Sequence, residues 1–98
     1  MASFHTSIIK SVDSLDAGKT YHFTWNNPPG VIISYTATPD PIGAIGPHGT
    51  ATGQVEVTRV LRTYTQDNYN SDSSSATIYI KNTGGSATGF DVHQNWWA

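Results

Sequence analysis

The sequence predicts an all-β fold, a small antiparallel β-sandwich of about six to seven strands, with a small β-barrel as the alternative. Three observations lead to this prediction. Apolar residues do not recur at the three- and four-residue spacing of an amphipathic helix. They alternate instead with polar residues over short segments, most regularly in residues 20–26 and 76–81. Segments rich in Gly, Pro, Asn, Asp and Ser separate these stretches at intervals typical of a sandwich.

Six strands follow from this alternation. They are predicted over residues 4–12, 20–26, 31–38, 54–65, 76–82 and 90–97. In the second strand the three aromatic residues share one face and the polar residues share the other, as in a sheet with one buried face. In the fourth strand Val57 and Leu61 fall on the same face by alternation, whereas Val60 falls on the opposite face. We therefore expect a β-bulge or bend near Arg59.

The connections between these strands are predicted to be turns and loops. Residues 13–19 hold two aspartates and a glycine, which favour a turn. Residues 39–53 contain three prolines and four glycines, and residues 66–75 are dominated by Ser, Asn and Asp. Loops of this length are uncommon in small domains and are often functional. Residues 67–72 alternate oxygen-bearing side chains as calcium loops do, but the required glycine and glutamate are missing, so a solvated turn is favoured.

If every second residue of each strand faces inward, these residues form an apolar core between two sheets. The predicted members are Ile8, Phe23, Trp25, Ile33, Val57, Ile78, Ile80, Phe90 and Val92. The two tryptophans of the last strand are consecutive, so they point to opposite faces. We expect Trp96 to follow Phe90 and Val92 toward the core. Trp97 then lies on the polar face.

Length and composition exclude several classes of protein. A chain of 98 residues is predicted to form one domain, residues 1–98. Its net charge of −2 and its five scattered Lys and Arg residues argue against nucleic-acid binding. The chain has no cysteine, so we expect neither a disulfide nor a zinc–thiolate site. It has neither a signal-peptide pattern nor a long apolar run, which predicts a soluble chain without a membrane span and leaves a secreted or cytoplasmic location open.

The last strand carries a row of side chains suited to binding. Asp91, His93 and Asn95 alternate on its polar face, and Trp97 continues the row. This pattern suits a carbohydrate, because sugar hydroxyls need donors and acceptors while the apolar face of a pyranose stacks on an aromatic ring. His22, on the polar face of the second strand, joins this predicted ligand-binding row if the two strands are neighbours. The alternative is an edge-strand or subunit contact, where Trp, Asn and His also fit.

No pattern in the chain predicts catalysis. A nucleophile-elbow motif and an HExxH motif are both missing, and the spacing of acidic and basic residues indicates no acid–base pair. His22, His93 and Asp91 are residue types that bind metals. Histidines on separate strands are more often surface residues, however, so we predict neither a metal nor another cofactor.

We therefore expect a non-catalytic binding module, carbohydrate-binding and lectin-like, that self-associates into a homo-oligomer. Apolar loop residues and the paired tryptophans favour self-association. The alternative is a structural or interaction protein of a particle or oligomeric assembly. A third hypothesis is an enzyme, or a protein that presents its 39–53 loop to a partner as protease inhibitors do.

Overall fold

Six β-strands and no helix make up the part of the chain that the computed structural model describes, residues 3–28, 33–40, 50–66 and 72–97. The strands are β1 (Phe4–Leu15), β2 (Thr20–Asn26), β3 (Ile33–Asp40), β4 (Val55–Gln66), β5 (Asp72–Asn82) and β6 (Thr88–Trp97). The predicted all-β fold is confirmed, because each segment of alternating polarity forms a strand.

The strands form two antiparallel three-stranded sheets that pack together. Sheet 1 has the order β1-β6-β3, and sheet 2 has the order β2-β5-β4. The central strands are therefore β6 and β5, and the turn at residues 83–87 leads from one sheet to the other. Two separate sheets correspond to the predicted sandwich and not to the alternative barrel.

The core lies between the central strands of the two sheets. Its buried apolar side chains are Tyr35, Ala76, Ile78, Ile80, Phe90 and Val92. The predicted burial is confirmed for Ile78, Ile80, Phe90 and Val92. Phe23, Ile33 and Val57 are half-buried and pack against this cluster. The prediction omitted Tyr35, which is accommodated because its hydroxyl donates a hydrogen bond to Gln94 Oε1 at 3.0 Å.

The predicted burial is wrong for two residues, Ile8 and Trp25. Ile8 is 56% exposed, because the register of β1 against β6 shifts between Ile8 and Lys10. This shift turns Ile9 toward the core instead. Trp25 is 36% exposed, because it lies one residue before the end of β2, at the margin of the core.

Strand bounds differ from the prediction where pairing outweighs the local preference for turns. β1 continues through the expected turn residues to Leu15, which pairs with Thr88 of β6. β5 begins at Asp72, so residues 72–75 of the predicted polar loop belong to a strand that pairs with β4. Pairing along a long ladder satisfies the backbone hydrogen bonds of these Asp and Ser residues, which removes their advantage in a turn.

Other expectations about the strands have mixed outcomes. The predicted bulge near Arg59 is confirmed, since the register of β4 against β5 shifts between Val57 and Arg59. The first two residues of the predicted loop 39–53 belong to β3. Residues 31–32 of the predicted third strand, and residues 41–49 and 67–71 of the predicted loops, lie outside the described residues.

The buried side chain of Asn82 ties one end of the sandwich together. Its amide nitrogen donates hydrogen bonds to the carbonyl oxygens of Leu15 and Ser86, both at 2.8 Å. Its amide oxygen accepts a hydrogen bond from the N–H of Gly84 at 2.9 Å. The Asn82 backbone adds two hydrogen bonds to the turn between β1 and β2. One residue thereby joins β1, the β1–β2 turn and the turn between the sheets.

Candidate functional site

The predicted row lies on the outer face of sheet 1, along its central strand β6. Even-numbered residues from 88 to 94 are buried, so the odd-numbered residues after Gly89 face outward. Asp91, His93 and Asn95 are half-buried, and Trp97 is 47% exposed. At a rise of about 3.4 Å per residue, the row is roughly 20 Å long. The structure thus brings these four predicted site residues onto one face.

Asn95 is held by hydroxyl groups from both neighbouring strands. Thr6 Oγ1 of β1 donates a hydrogen bond to Asn95 Oδ1 at 2.8 Å. Asn95 Nδ2 donates to Thr36 Oγ1 of β3 at 3.2 Å and lies 3.5 Å from Ser34 Oγ. Cross-strand contacts of this kind hold side chains in fixed orientations on the sheet surface. The amide and its neighbouring hydroxyls therefore form a preordered polar surface.

Asp91 makes a similar contact further along the row and gives this face its charge. Ser11 Oγ donates a hydrogen bond to Asp91 Oδ1 at 2.6 Å. Asp40 of β3 lies on the same face by its register with β6. Among the described residues this face carries no Lys or Arg, because Lys10 turns inward and places Nζ 5.9 Å from the Tyr21 ring centroid. The outer face of sheet 1 is therefore acidic.

Apolar side chains of β1 border the row. Trp97 and Phe4 meet edge to face, with ring centroids 5.5 Å apart and an interplanar angle of 64°. Phe4 is 55% exposed, and Ile8, 56% exposed, lies opposite His93. Sequence reasoning missed both residues as parts of this surface, because only the pairing register of β1 with β6 brings them there.

Trp96 faces the inner side of sheet 1 but does not reach the core cluster. It is half-buried and stacks on His5, its partner in β1, with ring centroids 5.3 Å apart and an interplanar angle of 18°. Its inward direction agrees with the alternation along β6. The expected position in the core is not observed, because Trp96 lies beyond the last buried residue, Gln94, where the cluster has ended.

His22 is not brought to the row, because β2 belongs to sheet 2 and β6 to sheet 1. It lies on the outer face of sheet 2 and stacks on Tyr79, with ring centroids 5.2 Å apart. The guanidinium group of Arg59 lies 5.6 Å from the centroid of the same ring. His22, His93 and Asp91 are thus too far apart to share a metal ion. Within the described ranges, no three His, Asp or Glu side chains converge as metal ligands do.

A concave surface, separate from the row on sheet 1, lies at one end of sheet 2. It has a volume of about 260 Å³ and is lined by Asn26, Asn27, Thr63, Thr65, Ser73, Ser74 and Ser75. These side chains are all amides and hydroxyls. Asn27 has a positive φ of 52°, and its N–H donates a hydrogen bond to the Ser74 carbonyl at 2.7 Å. Of the residues that line this cavity, only Ser73, Ser74 and Ser75 belong to the polar segment 66–75 noted in the sequence. The others belong to β2, to the residue that follows it and to β4.

Comparisons of the chain with protein-family models, with curated proteins and with solved structures found no match. In the part of the chain that the structure describes, no helix is long and apolar enough to cross a membrane. Function is therefore inferred from the chemistry of the surfaces described above.

Proposed function

We propose that the protein is a non-catalytic, lectin-like binding module that binds a neutral carbohydrate on the outer face of sheet 1. The main support is the row Asp91, His93, Asn95 and Trp97, which lies on one open face. Hydroxyl groups of the neighbouring strands hold Asp91 and Asn95 in place. An open face about 20 Å long suits an extended oligosaccharide that lies along the strand.

The chemistry of the row matches the needs of a sugar. Sugar hydroxyls both donate and accept hydrogen bonds, and carboxylate, imidazole, amide and hydroxyl groups supply both functions here. The exposed ring of Trp97 offers an apolar surface to one face of a pyranose. Because Asn95 and Asp91 are already held by hydrogen bonds, little side-chain freedom is lost when a ligand binds.

The charge of this face favours a neutral ligand. Asp91 and Asp40 lie on it without a neighbouring Lys or Arg among the described residues. Carboxylated and sulfated glycans are therefore repelled, since like charges oppose each other across a contact. The proposed ligands are consequently neutral oligosaccharides.

Binding measurements on the wild-type chain and two variants test this proposal. A glycan array selects the ligand, and isothermal titration calorimetry measures its affinity. Trp97→Ala is expected to weaken binding at least about tenfold, as the loss of an aromatic anchor does. His22→Ala removes a stacked side chain from the opposite sheet and is expected to bind as the wild type does. No binding to any neutral glycan at about millimolar concentration, or equal losses in both variants, would contradict the proposal.

We also propose that the chain self-associates, as a structural or interaction protein would. In the described part of the chain, the exposed large apolar side chains are Phe4, Ile8, Trp25, Val60, Leu61, Tyr64 and Trp97. The radius of gyration is 16.4 Å, whereas a compact domain of this length is expected to have about 12.6 Å. The accessible surface is 6460 Å², whereas a compact monomer of this mass exposes roughly 5,500 Å².

Both values reflect an elongated shape, with extents of 61 × 31 × 17 Å, which leaves these apolar side chains uncovered in a single chain. Light scattering at micromolar concentration measures self-association directly. A mass that stays at 10.6 kDa would exclude it. Glycan binding by such a monomer would support the first proposal alone.

A further inference from the structure

Residues 58–66 of β4 form an edge of sheet 2 in which every side chain is exposed. Val60 is 40% exposed, Leu61 is 42% exposed and Tyr64 is 63% exposed. The register against β5 runs without a shift from Arg59 to Gln66. An edge strand leaves backbone N–H and C=O groups unpaired on its open side, so a regular, apolar edge is a template for another strand.

The other three edge strands carry features that hinder such pairing. β1 has register shifts at two places. β2 is only seven residues long, and β3 contains Pro39, which donates no backbone hydrogen bond. β4 has its own register shift at residues 57–59, before the regular part begins. Residues 59–66 are therefore the least protected edge among the described strands.

We propose that β4 pairs with β4 of a second copy, antiparallel about a two-fold axis at Thr63, so that two copies of sheet 2 join into one six-stranded sheet. This inference rests on the self-association proposed above and names its surface. A second copy is the partner that fits, because an antiparallel edge is self-complementary about a two-fold axis. Pairing would also cover part of the exposed apolar surface of Val60, Leu61 and Tyr64.

The position of the axis follows from the side chains it brings together. An axis at Thr63 sets Thr63 opposite its own mate and Arg62 opposite Tyr64 of the second copy. Asp72 of β5 pairs with Gln66, the next residue after Tyr64 on the same face, and its carboxylate raises the pKa of the Tyr64 hydroxyl. Each Arg62 therefore meets an edge with a negative charge nearby. An axis at Arg62 would instead place two guanidinium groups directly opposite each other, which is unfavourable.

Cross-linking tests the pairing directly, because the chain has no native cysteine. Thr63→Cys is expected to form a disulfide-linked dimer under mild oxidation, since opposed Cβ atoms across a ladder are about 4.5–5.5 Å apart and little movement brings them within bonding range. Thr24→Cys is the matched control on β2, the other edge of sheet 2, and is expected to stay monomeric on a denaturing gel. Equal cross-linking of both variants, or of the control alone, would overturn the proposal.

A charge placed on the edge tests the same pairing without a covalent bond. Leu61→Lys is expected to reduce the mass measured by light scattering from twice 10.6 kDa to 10.6 kDa, because lysine on an edge opposes pairing. Ile8→Lys makes the same change at an exposed apolar residue of β1 and is expected to leave the dimer intact. Circular dichroism of both variants checks that they keep the β fold.

The outcomes separate this inference from the proposals on which it builds. A wild-type chain that is monomeric at all concentrations overturns self-association and β4 pairing together. A dimer that survives Leu61→Lys and does not cross-link through Thr63→Cys overturns β4 pairing alone. Carbohydrate binding per chain by Leu61→Lys is expected to equal that of the wild type, because the row lies on the opposite sheet.

Discussion

Replacing Asn82 with alanine removes the side chain that ties one end of the sandwich together. Asn82 is fully buried, and its amide makes three hydrogen bonds to backbone groups of Leu15, Gly84 and Ser86. Alanine at this position leaves two carbonyl oxygens and one N–H without these partners. The methyl side chain supplies no replacement, so the turn between the sheets loses its attachment to β1.

The magnitude follows from the number of groups left unpaired. A buried polar group without a partner costs about 1–3 kcal/mol. Three groups are left unpaired, and each costs an amount near the lower end of this range because the turn lies close to solvent. The expected loss in the free energy of unfolding is therefore about 3–5 kcal/mol. Domains of this size have about 5–15 kcal/mol in total, so this one substitution removes a large part of the stability.

Urea unfolding monitored by tryptophan fluorescence measures this loss. Asn26→Ala is the matched control, because Asn26 is an exposed asparagine at the end of β2. Its free energy of unfolding is expected to change by less than about 0.5 kcal/mol. A loss below about 1 kcal/mol for Asn82→Ala, or one equal to that of the control, would refute the structural role assigned to this side chain.

Two further predictions concern packing. Gly89→Ala would place a Cβ atom 2.7 Å from the Asp13 carbonyl oxygen and 2.9 Å from that of Val12, and is expected to cost about 1–3 kcal/mol in urea unfolding. Gly85→Ala, where no atom lies within 4 Å of the added Cβ, is the control, and equal stability of the two variants would contradict the close approach of β1 to Gly89. Trp96→Ala is expected to lower the free energy of unfolding by about 1–2 kcal/mol, because the Trp96 ring is half-buried and stacked on His5. Trp97→Ala is expected to lower it by less than about 1 kcal/mol, because only the edge contact of Trp97 with Phe4 is lost. A loss above about 3 kcal/mol for Trp96→Ala would instead show that its ring belongs to the core.

The strands and their faces could be predicted from the sequence because alternation is a local property. Residues 20–26 and 76–82 show it without interruption, and both form strands with the expected inner faces. Ile8 shows where this reasoning fails. A register shift one residue later reverses the phase of β1, and a bulge depends on the partner strand as well as on the local sequence.

The composition of the candidate site was only partly predictable, for a related reason. Asp91, His93, Asn95 and Trp97 share a face because they belong to one strand. His22 was expected to join them only if β2 and β6 were neighbours, and the order of strands in a sheet is not encoded in either strand alone. Thr6 and Phe4 reach the row through pairings across nearly the whole chain, which no local pattern indicates.

The central place of β6 in sheet 1 has a consequence for the order of folding. β1 and β3 pair with β6 and not with each other, and β6 follows both of them along the chain. Neither strand has a partner within its sheet until β6 has been synthesised, and the Thr6–Asn95 contact then closes a loop of 89 residues. β4 and β5, by contrast, are consecutive and pair locally. We therefore expect the β4–β5 hairpin to form first and sheet 1 to be the slow step, as is usual for folds dominated by non-local pairing.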